Sequence, residues 1–228
     1  MTSLSVLPEG VRFCEDYSSK SSPSDKNTTA LINSITDKTT FEEFEENCRK
    51  LAVSNFKIRG DNRTVFDQAV ICKNIKLAGR ILNKNPELIN YGGVSGRTVL
   101  FDVIAYANQA NYQSTFSKVR ILLELNADVN IATVTPSVFF PEGSTPLYAA
   151  AKTGHVKVIR LLLNRGAIAN PAIPLDCERY VDQAIKENKK DQDKVSEKVY
   201  EITTFPREIA NLVASFCGGT SIVPYLLV

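Results

Sequence analysis

Apolar residues recur along this chain in short helical stripes, broken by glycine, asparagine and proline. The clearest stripe runs from Val156 to Asn164 and carries Ile159, Leu162 and Leu163 on one face, the spacing of an amphipathic helix. Just before it, Leu147, Ala149 and Ala150 form a shorter stripe whose alanines permit close approach of neighbours. Thr145-Pro146 is a start signal: a hydroxyl able to cap the first free N–H groups, then a proline preset for the first turn. Gly154 and Gly166 are stop signals, residues that tolerate the left-handed geometry common at helix ends. The stretch GSTPLYAAAKTGHVKVIRLLLNRGAIAN, Gly143 to Asn170, therefore predicts two short antiparallel amphipathic helices. Neither buries its apolar face alone, so stacked copies are required.

Copies are present upstream. Thr98-Val99-Leu100 lies 34 residues after Thr64-Val65-Phe66, close to a repeat period of about 33 residues. Each is followed by a second stripe, Leu77 to Leu82 before Asn85, and Val119 to Leu125 before Asn126-Ala127-Asp128-Val129-Asn130. Asparagine is the next best residue after glycine for a left-handed position, which Asn126 is expected to take. From Thr98 to Thr145 is 47 residues, too long for one repeat, and the excess falls at 107–116 and at 131–143. Loop-closure cost rises only logarithmically with length, by well under about 1 kcal/mol here, so both insertions are expected on exposed edges outside the core. A weaker copy, Thr29-Ala30-Leu31, precedes Thr64 by 35 residues. Its second helix is expected from Phe41 to about Ser54, with Phe41, Phe44, Cys48 and Leu51 on one face and a Thr40/Glu43 capping box. This is read as a divergent N-terminal cap, with an unrelated helical hairpin as the alternative. Residues 1–27, Ser-rich in part, are expected to be a flexible N-terminal segment. After Pro171 and Pro174, residues 177–202 carry two apolar stripes, Val181/Ala184/Ile185 and Val195/Val199/Ile202, around a charged stretch. That pattern suits a C-terminal capping repeat with a wet outer face.

Thr145-Pro146-Leu147, Ala150, Gly154-His155, Val158, Leu162-Leu163 and Gly166-Ala167 together resemble the ankyrin repeat, and Asn126 to Asn130 resembles that family's GADVN ending. The resemblance implies an all-α fold: an ankyrin-repeat solenoid of about four to five stacked helix pairs over residues 28–202, divergent caps included. It implies a protein–protein interaction scaffold that binds through a concave face made of the first helices and the hairpin tips. On the strongest repeat that face means Ser144, Tyr148, Lys152 and Thr153; Tyr148 departs from the family's usual histidine after Thr-Pro-Leu. The enlarged turn adds Phe139-Phe140 between two prolines, and aromatic pairs on a loop are typical binding anchors. The alternative is that these rings fold back onto the solenoid.

The chain changes character over 203–228. Phe205-Pro206-Arg207-Glu208-Ile209 is followed by Leu212, Val213 and Phe216, which continue from Ile209 at i+3, i+4 and i+7. This resembles the Leu-Pro-x-Glu-Ile opening of an F-box, with Phe205 in the leucine position. An F-box-like motif after ankyrin repeats is similar to poxviral ankyrin proteins of the PRANC type and to proteins of intracellular bacteria. That resemblance implies an adaptor that contacts a Skp-family protein and recruits a target to a cullin-type ubiquitin ligase, or an effector exported into a host cell. The competing structural account is a helix that caps the last repeat. A SOCS box fits worse, since Leu212 is followed by Phe216 and only then by Cys217.

A net charge of +2 supplies no strong field toward nucleic acid or an anionic membrane. The five cysteines form no CxxC pair and are expected as free thiols in a reducing compartment. No basic region followed by an apolar stretch marks a secretory signal, and no run approaches the roughly 18 apolar residues of a membrane span. The expectation is a cytoplasmic monomer, in the host cytoplasm if it is an exported effector, with protein partners and no nucleic-acid or membrane contact. The one histidine, His155, would have to serve any Ser–His–Asp or Cys–His arrangement, and it sits in the Gly-His turn of the strongest repeat. Zinc-ligand spacing and a GxxxxGKS/T loop are both missing, and the Gly92 to Gly96 run falls in a turn. No catalytic residue, cofactor or metal is therefore expected, and an enzyme with an unrecognised site is the remote alternative.

Overall fold

Three threonines begin three successive helix pairs, and each does so by the same local chemistry. The hydroxyl of Thr64 accepts from the Asp67 amide at 3.1 Å while the Asp67 carboxylate accepts from the Thr64 amide at 2.8 Å. Thr98 accepts from the Phe101 amide at 3.3 Å and Thr145 from the Tyr148 amide at 3.4 Å. Each bond satisfies a backbone donor that the first helical turn leaves free. The computed structural model describes residues 8–13, 26–54, 56 and 64–202. Among them the helix pairs are α1 (Lys26–Ser34) with α2 (Phe41–Lys50), α3 (Val65–Ile71) with α4 (Ile75–Lys84), α5 (Val99–Ala105) with α6 (Tyr112–Glu124), and α7 (Pro146–Thr153) with α8 (Val156–Leu163). A long helix, α9 (Leu175–Ile202), closes the stack. The pairs pack side by side, α1 on α3, α5 on α7 and α6 on α8, with α9 against both α7 and α8. One continuous apolar cluster runs from Leu31 to Ala184, with Phe44, Phe66, Ile81, Phe101, Leu122 and Leu162 among its fully buried members. The result is an all-α solenoid of the ankyrin type.

The helix ends follow the sequence signals. Gly154, Gly166 and Asn126 all take left-handed geometry, with φ of +70°, +73° and +63°. The Thr40/Glu43 capping box forms, at 3.2 and 2.9 Å. The first pair departs from the expected phase: α1 starts at Lys26, so Thr29 lies within the helix and does not cap it. At the other end, the expected capping repeat is one uninterrupted helix. Cys177, Val181, Ala184, Asn188 and Val195 form its packed seam, at the alternating spacing of a single helical stripe. Arg160 of α8 ties α9 down, donating to Asn188 at 2.9 Å and to Glu187 at 3.2 Å and pairing with Asp191.

The two insertions are accommodated differently. The first contributes a capped 3-10 turn (Asn108 and Asn111 bond each other's backbone amides) and a thirteen-residue α6, longer than the eight-residue α8. The second belongs to the packed structure, contrary to the expectation that it lies outside the core. Val134 and Phe140 are both buried. The Val134 amide donates to the Ser95 carbonyl at 2.8 Å, and Gly96 leaves the room: a Cβ there would meet Val134 Cγ2 at 2.6 Å.

One element lies outside the helical ladder. Residues Arg12–Phe13 form a strand, β1, that pairs in parallel with β2 (Ile131–Ala132), Arg12 opposite Ile131 and Phe13 opposite Ala132. Among the described residues no helix is long and apolar enough to cross a membrane.

Candidate protein-binding face

The position three residues after each capping threonine that begins a helix pair is buried, and its occupant differs along the stack. In α3 it is Asp67, spent on the capping box. In α5 it is Phe101, and in α7 it is the buried Tyr148. Phe101 anchors the second insertion, since the Phe140 ring lies on it edge to face at 5.3 Å between centroids. Arg97 lies on the same ring and on Tyr106, with its guanidinium carbon 5.3 Å from each centroid. Its Nε also donates to the Asp102 carboxylate at 2.7 Å. The chain Phe140–Phe101–Arg97–Tyr106 thus links the loop to the end of α5, where Tyr106 is 69% exposed. Between α3 and α5 lies a cleft of about 210 Å³, lined in part by Ile71, Asp102, Tyr106, Asn111 and Lys118.

The loop tip is built as a fixed projection. The Ser137 amide donates to the Phe140 carbonyl at 2.7 Å and the Phe140 amide to the Ser137 hydroxyl at 3.2 Å, closing a tight turn. At its base, Gly143 N–H donates to Thr133 O at 2.8 Å, and the Ser144 hydroxyl to Pro141 O at 2.6 Å. With Phe140 buried as an anchor, Val138 and Phe139 stand 92% and 74% exposed. An apolar tip held by backbone bonds loses little conformational freedom on binding.

The expected contact residues divide by burial. Phe139 and Lys152 face solvent, and Thr153 is half-buried with its hydroxyl donating to the Ala149 carbonyl at 3.0 Å. Phe140, Ser144 and Tyr148 are buried and serve packing and loop closure. Val138 and Tyr106 join the exposed set from structure alone, and the half-buried Arg97 lies beneath Tyr106. Their one sequence signal is adjacency, Val138 to the aromatic pair and Arg97 to the Thr98 cap. The F-box-like residues Phe205, Pro206, Glu208, Ile209, Leu212, Val213 and Phe216 lie outside the described residues.

His155 is buried at the start of α8, stacked on Tyr112 with centroids 4.2 Å apart, and its Nδ1 has no hydrogen-bond partner. Burial holds its imidazole below the ordinary value. Tyr112 comes from the first insertion, and its hydroxyl accepts from the Lys157 amide at 3.3 Å. The histidine therefore joins two repeats by ring stacking. Among the described residues no group of three or more His, Cys, Asp or Glu side chains is placed to hold a metal ion.

Residues 66–173 match the family model described as Ankyrin repeats (3 copies). That stretch contains the pairs α3/α4, α5/α6 and α7/α8, while α1, α2 and α9 lie outside it. None of the curated proteins compared with the chain matches it. The ankyrin repeats over residues 66–173 indicate a protein–protein interaction domain.

Proposed function

We propose that the chain binds a partner protein through the face formed by the tip of the second insertion, the exposed end of α5 and the cleft between α3 and α5. One observation carries this reading: Phe140 is buried as an anchor while its neighbour Phe139, with Val138, is held out to solvent by a bonded turn. Aromatic side chains are among the groups that dominate binding energy at interfaces, and Phe139 and Tyr106 provide them, with Arg97 holding Tyr106 from beneath. The outward Lys152 of α7 extends the face toward the last repeat.

The test is site-specific photo-crosslinking. A photoreactive amino acid at Val138, and as a control at exposed Ile185 on α9, is used in eukaryotic lysate. A discrete adduct from position 138 that is absent at 185 and lost on Phe139→Ala supports the reading. Equal labelling at both sites, or an adduct unaffected by Phe139→Ala, overturns it.

A further part of the proposal is that residues 203–228 recruit a Skp-family ubiquitin-ligase adaptor, so that a target held by the repeats is presented for ubiquitin transfer, as an exported effector would do in a host cell. Its support is the sequence FPREIANLVASF, with Ile209, Leu212, Val213 and Phe216 on one apolar stripe. Leu212→Asp separates adaptor from cap. Lost binding to a purified Skp-family protein with an unchanged melting temperature fits the adaptor; no binding by the unmutated chain, with early melting of the variant, eliminates it.

A further inference from the structure

Residues 8–13 fit a small, prebuilt edge of the solenoid. Pro8-Glu9-Gly10-Val11 forms a turn in which the Val11 amide donates to the Pro8 carbonyl at 3.0 Å and Gly10 takes φ of +86°. A turn with positive φ at its third residue calls for glycine there. The same glycine is pressed on Ile168, since a Cβ would come within 2.8 Å of Ile168 Cδ1. Val11 is buried, and the Arg12 amide donates to the Asn130 carbonyl at 3.1 Å. The Arg12 Nε meets Asp128 Oδ2 at 2.7 Å, and strand pairing follows with Ile131 and Ala132. Left-handed glycine, buried branched residue and paired arginine are three successive positions, each matched to a different feature of the receiving surface.

That surface is held in place by bonds that do not involve residues 8–13. Asp128 N–H donates to the Asn90 side chain at 2.9 Å, and Asp128 Oδ1 accepts from the Asn130 amide at 2.9 Å. The Asn130 side chain accepts from Ile168 N–H at 2.8 Å and donates to the Gly166 carbonyl at 3.1 Å. Val134 is fixed to Ser95. The segment that fills the edge is, by contrast, lightly held. The ladder is two residues long, and the Arg12 side chain is 63% exposed, where ion pairs contribute little.

We propose that Asn130–Ala132, with Asp128 and Ile168, is an acceptor site for an extended peptide strand, occupied in this structure by the chain's own residues 8–13. The ligand it takes from a partner protein is an extended segment with glycine, a branched aliphatic residue and arginine in succession, added to the edge by main-chain hydrogen bonds. The site is separate from the Phe139 face and does not depend on it. A ligand on the same chain competes at an effective concentration on the order of millimolar, so a partner segment enters once the internal strand is weakened or drawn away.

A fluorescent peptide of residues 8–13, Pro-Glu-Gly-Val-Arg-Phe, tests this by polarisation against the full chain and two full-length variants, Gly10→Val and Arg12→Glu. The expected result is at least tenfold tighter binding to both variants than to the unmutated chain. Binding to the Gly10→Val chain is weakened when Asp128→Asn is added, and lost when the peptide itself carries Gly10→Val. Circular dichroism and the melting temperature of both variants stay as in the unmutated chain. Equal binding to unmutated and variant chains, absence of binding to all of them, or indifference to the glycine in the peptide overturns the proposal. Loss of helical signal in both variants also overturns it, since residues 8–13 would then be part of the fold itself.

Discussion

Alanine at Phe140 is expected to destabilise the protein by about 2–4 kcal/mol, and alanine at Phe139 to change stability by less than about 0.5 kcal/mol. Phe140 is 8% exposed, and burying a phenylalanine side chain is worth about 1.5–3 kcal/mol. Its edge-to-face contact with Phe101 adds about 0.5–1.5 kcal/mol. The upper end of that sum is reduced because the loop can settle onto the Phe101 ring once the anchor is removed. Phe139 is 74% exposed and has no such environment to lose, which places it with ordinary surface substitutions. For a chain of this size each kcal/mol moves the midpoint by about 2–4 °C, so Phe140→Ala should melt about 4–16 °C earlier. Urea and thermal unfolding of both variants, followed by far-UV circular dichroism, measure this directly. A cycle with Phe101→Ala should return a coupling of about 0.5–1.5 kcal/mol between the two rings. The reasoning fails if Phe139→Ala destabilises as much as Phe140→Ala, or if Phe140→Ala costs under about 1 kcal/mol.

Leu162 is fully buried in α8, and Leu162→Ala should cost about 2–5 kcal/mol; a loss below about 1 kcal/mol in denaturant titration would contradict its place in the core. Gly79 lies inside α4 with nothing within 4 Å of an added Cβ, so Gly79→Ala should stabilise the protein by up to about 1 kcal/mol, read as a raised melting midpoint. His155 is held by burial below its ordinary 6.5, so the folded state refuses a proton that the unfolded state accepts. Its contribution to stability is complete above about pH 6.5 and declines as pH falls toward the folded value. The single imidazole resonance should titrate below 6.5 by NMR, and His155→Phe should flatten this part of the stability profile; an imidazole titrating at or above 6.5 contradicts the assignment.

The sequence by itself determined the helix pairs and most of their ends, though not the start of α1 or of α6. Thr64, Thr98 and Thr145 were legible as caps, the Thr40/Glu43 box formed as expected, and Asn126, Gly154 and Gly166 took the left-handed geometry their residue types invite. All of these depend on residues within one turn of each other. The single helix α9 was also within reach, because no glycine or proline interrupts residues 175–202, but its two apolar stripes were read as two elements. The candidate binding face was only half legible: an aromatic pair in an insertion was visible, but not which ring is the anchor. Loops have no period, so nothing local distinguishes Phe139 from Phe140; the ring of Phe101, some forty residues earlier, decided it. The pairing of Arg12 with Ile131 is likewise a tertiary fact, since a two-residue strand carries no pattern of its own. Its partner edge exists only after Asn90, Gly166 and Ile168 have fixed the turn at Asp128 and Asn130. Periodic local signals survive in a chain read one residue at a time, whereas the fate of an irregular segment depends on the surface that the folded repeats present to it.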